Sequence, residues 1–153
     1  MPKHQEIFIE WIKYNLTIGQ YLAAKEKSQE CIALQATLGH CWWLLARAHL
    51  SLGNNEQGNK AISQAVLRNH PVTSTESLLE LANAYIASQN YRELAKTYEQ
   101  LLERKISIEY YAGLAIAYSK IGVFEKAKQA ALKVLELQPE AKEEVEAFLQ
   151  SLP

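Results

Sequence analysis

Two cysteines, Cys31 and Cys41, and four histidines, His4, His40, His49 and His70, are the residues of this chain best suited to nucleophilic, acid–base or metal chemistry. Their spacing assembles none of it. The cysteines stand outside any Cys-x2-Cys or Cys/His ligand pattern. They read as two small buried apolar residues in a reducing compartment rather than as a disulfide. There is no glycine-rich phosphate loop, no His-Glu-x2-His helix and no Gly-x-Ser-x-Gly turn. Carboxylate neighbours such as Glu143 and Glu144 read as an exposed helix face. An enzyme would have to build its site from residues with no linear signature. The expectation is a non-enzymatic protein with no catalytic residues, no metal and no cofactor.

The bulk composition points the same way. The chain has 153 residues, 48% hydrophobic and 22% charged, which predicts one folded domain over residues 1–153 with a real core. Sixteen basic residues against 17 acidic ones leave a net charge of −1. A nucleic-acid partner would call for a basic excess, so none is expected. No apolar run approaches the ~20 residues of a membrane span, so direct membrane insertion is not expected. Glu6 and Glu10 interrupt the apolar residues of the N-terminal stretch, so no signal peptide is expected there. The compartment expected is the cytoplasm or another soluble one.

A repeat organises the chain. Helix-ending stretches recur at Asn15–Tyr21, His49–Asn55, Tyr85–Tyr91 and Tyr118–Phe124. Aligned on Gly19, Gly53, Gln89 and Gly122, they are 34, 36 and 33 residues apart, and the two extra residues fall in the polar loop 70–76. Within each period the apolar residues keep helical spacing, as in Tyr111, Leu114, Ala115 and Tyr118. Glycine then offers a left-handed helix end without steric cost. Each period is therefore two helices joined by a short turn, and one such pair cannot bury both of its faces alone.

The period and residues resemble the tetratricopeptide repeat, whose pattern is Trp-x2-Leu-Gly-x2-Tyr, then Ala-x3-Phe, then Pro, over 34 residues. The best match is Tyr111-x2-Leu114-Ala115-x2-Tyr118, with Gly122, Ala127-x3-Ala131 and Pro139. Trp42-x2-Leu45-Ala46-x2-His49 with Gly53 and Gly58-x3-Ile62 is a second, and Leu78-x2-Leu81-Ala82-x2-Tyr85 with Leu94-x3-Tyr98 a third. Phe8-x2-Trp11-Ile12-x2-Asn15 with Gly19 is degenerate. The resemblance implies an all-α fold, a right-handed α-solenoid of antiparallel helix pairs. Its repeats span about residues 5–38, 39–74, 75–107 and 108–141. Ala46, Ala82, Ala115, Gly58 and Ala127 fall where helix backbones must approach closely. A capping helix over about 140–151 presents Ala141, Val145, Phe148 and Leu149 as one apolar stripe.

The resemblance also implies where a partner binds. In such arrays the first helices of successive repeats line a concave groove that takes a peptide or a helix. The expected groove residues are Ile9 and Lys13 in the first repeat, and Trp43 and Arg47 in the second. Leu79, Asn83 and Ile86 follow in the third, and Ile116 and Lys120 in the fourth. Trp43 beside Arg47 has the composition of a binding hot spot. Neighbours on a helix point about 100° apart, so Trp42 is expected in the core and Trp43 on the groove wall. Leu44 and Leu50 read at least as well as internal residues. His49, in the motif's tyrosine slot, is expected to pack between helices, His40 to reach the groove, and His4 and His70 to lie in solvent. Relatives that grip a chaperone carboxylate tail place Lys, Asn and Arg at positions that are here Ile9, Lys13, Leu44, Glu76 and Glu80, or Trp43, Arg47, Glu80, Glu109 and Gly113. Their acidic members would repel a carboxylate, so that activity is rejected.

The expected function is a protein–protein interaction module with a largely apolar groove. The alternative is the soluble tail of a larger protein that scaffolds or self-associates. The residues from Pro139 to Pro153 resemble the ends of tetratricopeptide tails on bacterial envelope and polysaccharide-assembly proteins. Phe8 and Trp11 lie near the open end of the degenerate first repeat, where a homo-oligomer contact would form.

Overall fold

Three glycines turn the chain where the repeat predicts. Gly19, Gly53 and Gly122 take φ of 80°, 83° and 79°, a left-handed conformation that a side chain disfavours. At each, the following residue donates its N–H five residues back: Gln20 to Asn15 at 2.8 Å, Asn54 to His49 at 2.8 Å, Val123 to Tyr118 at 3.0 Å. These bonds satisfy carbonyls that the helix ends leave open. Gln89 stands where the third glycine would be and still takes φ 56°.

The computed structural model describes residues 3–153, with side chains from Gln5 onward; His4, expected in solvent, lies outside the described side chains. The described residues form helices α1 (Lys3–Thr17), α2 (Tyr21–Leu34), α3 (Gly39–Ser51), α4 (Asn55–Leu67), α5 (Thr75–Ala87), α6 (Tyr91–Arg104), α7 (Ile108–Lys120), α8 (Phe124–Leu137) and α9 (Lys142–Ser151). No strand occurs among the described residues. Ser74, Asn90 and Ser107 cap α5, α6 and α7 by accepting the N–H of Ser77, Glu93 and Tyr110. Helix packing divides the chain into two units, Met1–Ser88 and Gln89–Pro153.

In the first unit α3 is the hub. It packs on α1, α2, α4 and α5, and Cys41, Trp43, Leu44, Leu45, Ala46, Ala48 and Leu50 are all buried along it. Apolar residues on two opposed faces of one helix require cover on both. Gly58 lets α4 reach α3, because a Cβ there would sit 2.6 Å from Leu50 Cδ2. The other small residues expected at close approaches are buried as well.

The cysteines correct the sequence reading. Cys31 in α2 and Cys41 in α3 form a disulfide, with their Cα atoms 5.8 Å apart. The spacing alone carried no hint, because the tie depends on α2 and α3 packing side by side.

In the second unit α7 packs between α6 and α8, and α9 lies on α8. Gly113 packs on α6, where a Cβ would meet the Tyr98 ring at 2.5 Å. A short 3-10 turn, Pro139–Ala141, leads into α9. Val145 of α9 is buried and Phe148 half-buried. Both line an apolar cavity of about 240 Å³ with Ala115, Ile116, Ala131 and Val134.

Candidate functional site

The expected groove in the first unit has α3 as its floor, with α1 and α5 packed against it. The floor is closed rather than open. Trp43 has no exposed surface and Ile9 retains 3%, so both expectations of a groove contact are corrected. Ile9 joins Ile12, Leu16, Cys31, Cys41 and Leu44 in the core. Leu44 and Leu50 are buried too.

The tryptophan doublet is inverted relative to expectation. Trp42 is the half-buried member: its indole N–H donates to Ala36 O at 2.9 Å, and Arg68 stacks 4.8 Å from its ring. Trp43 is the internal one. Its ring stacks on His70 at 5.6 Å, and its N–H donates to Glu80 Oε1 at 3.3 Å. The 100° between the two residues is as predicted, but the closure of α5 and the 70–76 loop over Trp43 assigns the faces the other way.

Arg47 is likewise engaged. Its guanidinium sits 2.5 Å from Glu80 Oε2, and the two side chains retain only 14% and 20% of their exposure. Burial pulls the Arg47 pKa down and Glu80 pushes it back up. The pair borders a small cleft of about 40 Å³ lined by Leu16, Tyr21, Ser51, Asn83 and Ala84. Arg47 therefore shapes the groove wall rather than offering a free donor.

The histidines settle into packing. His70, expected in solvent, is half-buried and stacks on His40 at 5.0 Å as well as on Trp43. Burial first, then His70, Lys13 and Arg47, lower the His40 pKa to about 4, with Glu10 opposing. Both rings are therefore held neutral at physiological pH. His49 is half-buried, and its Nδ1 lies 3.5 Å from the Asn54 amide.

What remains exposed is a strip on α5. Leu79, Asn83 and Ile86 recur at i, i+4 and i+7, so they share one helix face. Leu79 and Ile86 keep 39% and 48% of their surface. Lys13 on α1 is partly exposed and pairs with Glu10 at 3.2 Å. In the second unit Ile116 and Lys120 are exposed one turn apart on α7. A further exposed surface runs along α1 and into the turn after it: the sequence points to Trp11 there but gives no separate weight to Ile7, Tyr14 and Ile18. Their 4-3-4 spacing was the available signal.

Among the described residues no cluster of His, Cys, Asp or Glu could hold a metal ion, and no helix is long and apolar enough to cross a membrane.

Comparison with known proteins agrees with the geometry. Residues 77–106 and 108–141 each match a family model described as tetratricopeptide repeat. No curated protein sequence matches the chain. Among solved structures, a thermophilic tetratricopeptide protein of Thermus thermophilus is similar at TM-score 0.62 and 18% identity, over 97% of this chain and 83% of that one. The MamA protein is similar at TM-score 0.61 and 18% identity, over 91% and 75%. The pilF protein of Pseudomonas aeruginosa is similar at TM-score 0.60 and 13% identity, over 95% and 65%. At these identities the structures show a shared fold, an all-α solenoid of helix pairs. Tetratricopeptide repeats are in general protein-interaction modules and non-enzymatic scaffolds. Residues 77–141 thus match two tetratricopeptide repeats, within a chain of helix pairs of the same fold.

Proposed function

We propose that the chain is a non-enzymatic module that binds a peptide or helical segment of a protein partner along the α5 strip. The observation that carries this reading is the exposure of Leu79, Asn83 and Ile86 on one face of α5, beside a groove floor already closed by Trp43 and the Arg47–Glu80 pair. An amphipathic segment laid along α5 would set two apolar side chains against Leu79 and Ile86. Asn83 between them can bond a backbone group of the ligand. Within the same unit Lys13 places a cation on α1; in the second unit Ile116 and Lys120 form a separate exposed apolar and cationic pair on α7. Neither nucleic acid nor a membrane is invoked as partner.

The test is selection from a displayed random-peptide library, then calorimetry with a selected peptide. Leu79→Glu combined with Ile86→Glu is expected to weaken binding at least tenfold without lowering Tm. Unchanged affinity in that variant would remove the strip from the account.

A second reading, scaffolding through self-association, draws on the exposed apolar face of α1. The Cys31–Cys41 bond favours an oxidising compartment over the reducing one expected from the spacing.

A further inference from the structure

One face of α1 points into the core through Ile9, Ile12 and Leu16. The opposite face carries Ile7, Trp11 and Tyr14 and runs on to Ile18 in the turn just past Thr17, exposed by 67%, 53%, 60% and 49%. The spacing between them is 4, 3 and 4 residues. That is the spacing of an interhelical seam, in which side chains of one helix insert between those of another. The occupant it suits is therefore a helix.

The order of the side chains says which helix. Aliphatic, aromatic, aromatic, aliphatic, at 4-3-4, reads the same in both directions. We propose that the α1 face pairs with the α1 face of a second copy, antiparallel, about a two-fold axis between Trp11 and Tyr14. Ile7 then meets Ile18 of the other copy, and Trp11 meets its Tyr14. A two-fold interface requires such a self-complementary patch. The proposal deepens the self-association reading and rests on it.

Area and charge support a second copy. With Leu22 in the first turn of α2, also 56% exposed, the apolar side chains offer roughly 600 Å², close to the ~800 Å² that each partner of a stable complex buries. Such a patch reaches the upper end of what monomers leave bare. Two flanking charged pairs are neutralised within the chain: Lys13 pairs with Glu10 at 3.2 Å, and Lys27 sits 4.9 Å over the Trp11 ring while pairing with Glu30. No uncompensated charge on the stripe itself would repel an identical face.

Analytical ultracentrifugation of the full chain, with Trp11→Glu/Tyr14→Glu beside it, tests the pairing. The expected result is a dimer in the parent chain. In the variant, with an unchanged circular dichroism spectrum, the dimer Kd rises at least a hundredfold. A parent chain that stays monomeric at ~100 μM, well above typical dimer Kd values, overturns both this inference and the self-association reading. A dimer that survives in the variant overturns this inference alone. Orientation is read from cysteine cross-linking. Antiparallel pairing keeps Ile7 about 16 Å from the other copy's Ile7, beyond disulfide reach. Ile7→Cys and Ile18→Cys chains should therefore cross-link only when mixed. Cross-linking of Ile7→Cys with itself, or none in the mixture, overturns the antiparallel seam.

Discussion

The Glu80 carboxylate holds two residues of α3 at once, accepting the Trp43 indole N–H through Oε1 at 3.3 Å and facing the Arg47 guanidinium through Oε2 at 2.5 Å. The two residues with the composition of a binding hot spot are thus spent on joining α3 to α5. They stabilise the groove floor, and the exposed strip of α5 is left for a partner.

Trp43→Ala is accordingly a stability mutant. It empties a fully buried indole site, which costs about 3–5 kcal/mol, and leaves Glu80 without one donor. Trp42→Ala removes a half-buried ring and should cost less. Chemical denaturation of both variants checks the order; a larger loss for Trp42→Ala would mean that the doublet has been assigned to the wrong faces.

The Cys31–Cys41 bond closes a loop with a sequence separation of 10. Its loss should cost about 3 kcal/mol by the loop-entropy relation. Reduction is expected to lower Tm measurably, and Cys31→Ala/Cys41→Ala should match the reduced parent. Alkylation followed by mass spectrometry gives an independent check, since two free thiols in the unreduced chain would contradict the bond.

Gln89 takes a left-handed conformation at φ 56° that the glycines at the other turns adopt without strain. Left-handed backbone costs a non-glycine residue about 1–2 kcal/mol, and part of that is returned by the greater freedom of glycine when unfolded. Gln89→Gly should raise the stability by up to about 1 kcal/mol, read as a higher denaturation midpoint at constant slope.

The pH dependence follows from the histidine stack. His40 titrates near 4 in the folded chain against an ordinary 6.5, chiefly through burial and then the neighbouring His70, Lys13 and Arg47. The unfolded chain therefore binds more protons between these values. This contribution to stability is complete above pH 6.5 and is lost as pH falls toward 4. His70 and His49 are lowered in the same direction. Thermal melts from pH 7 to 4.5 should show Tm falling, with a shallower slope in His40→Gln. An unchanged slope would assign the acid sensitivity to other groups.

The fold was legible because its determinants are local and repeated. Gly19, Gly53 and Gly122 mark turns by backbone conformation alone, and Gly58 marks a close helix approach by its missing Cβ. The site was less legible because burial of Trp43 and Ile9 depends on how tightly α1 and α5 close on α3, a quantity with no period in the chain. One signal was available. Cys41, Trp43, Leu44, Leu45, Ala46, Ala48 and Leu50 put apolar residues on two opposed faces of α3, which argues for a helix covered on both. The disulfide was hidden for a related reason, since packing of α2 against α3 brings the two cysteines together.

The most direct test of the binding face is amide chemical-shift mapping of the isotope-labelled chain with a library-selected peptide. The largest shifts are expected between Leu79 and Ile86 on α5, with the Trp43 indole N–H resonance little changed. Shifts that leave α5 untouched and fall elsewhere on the chain would contradict it.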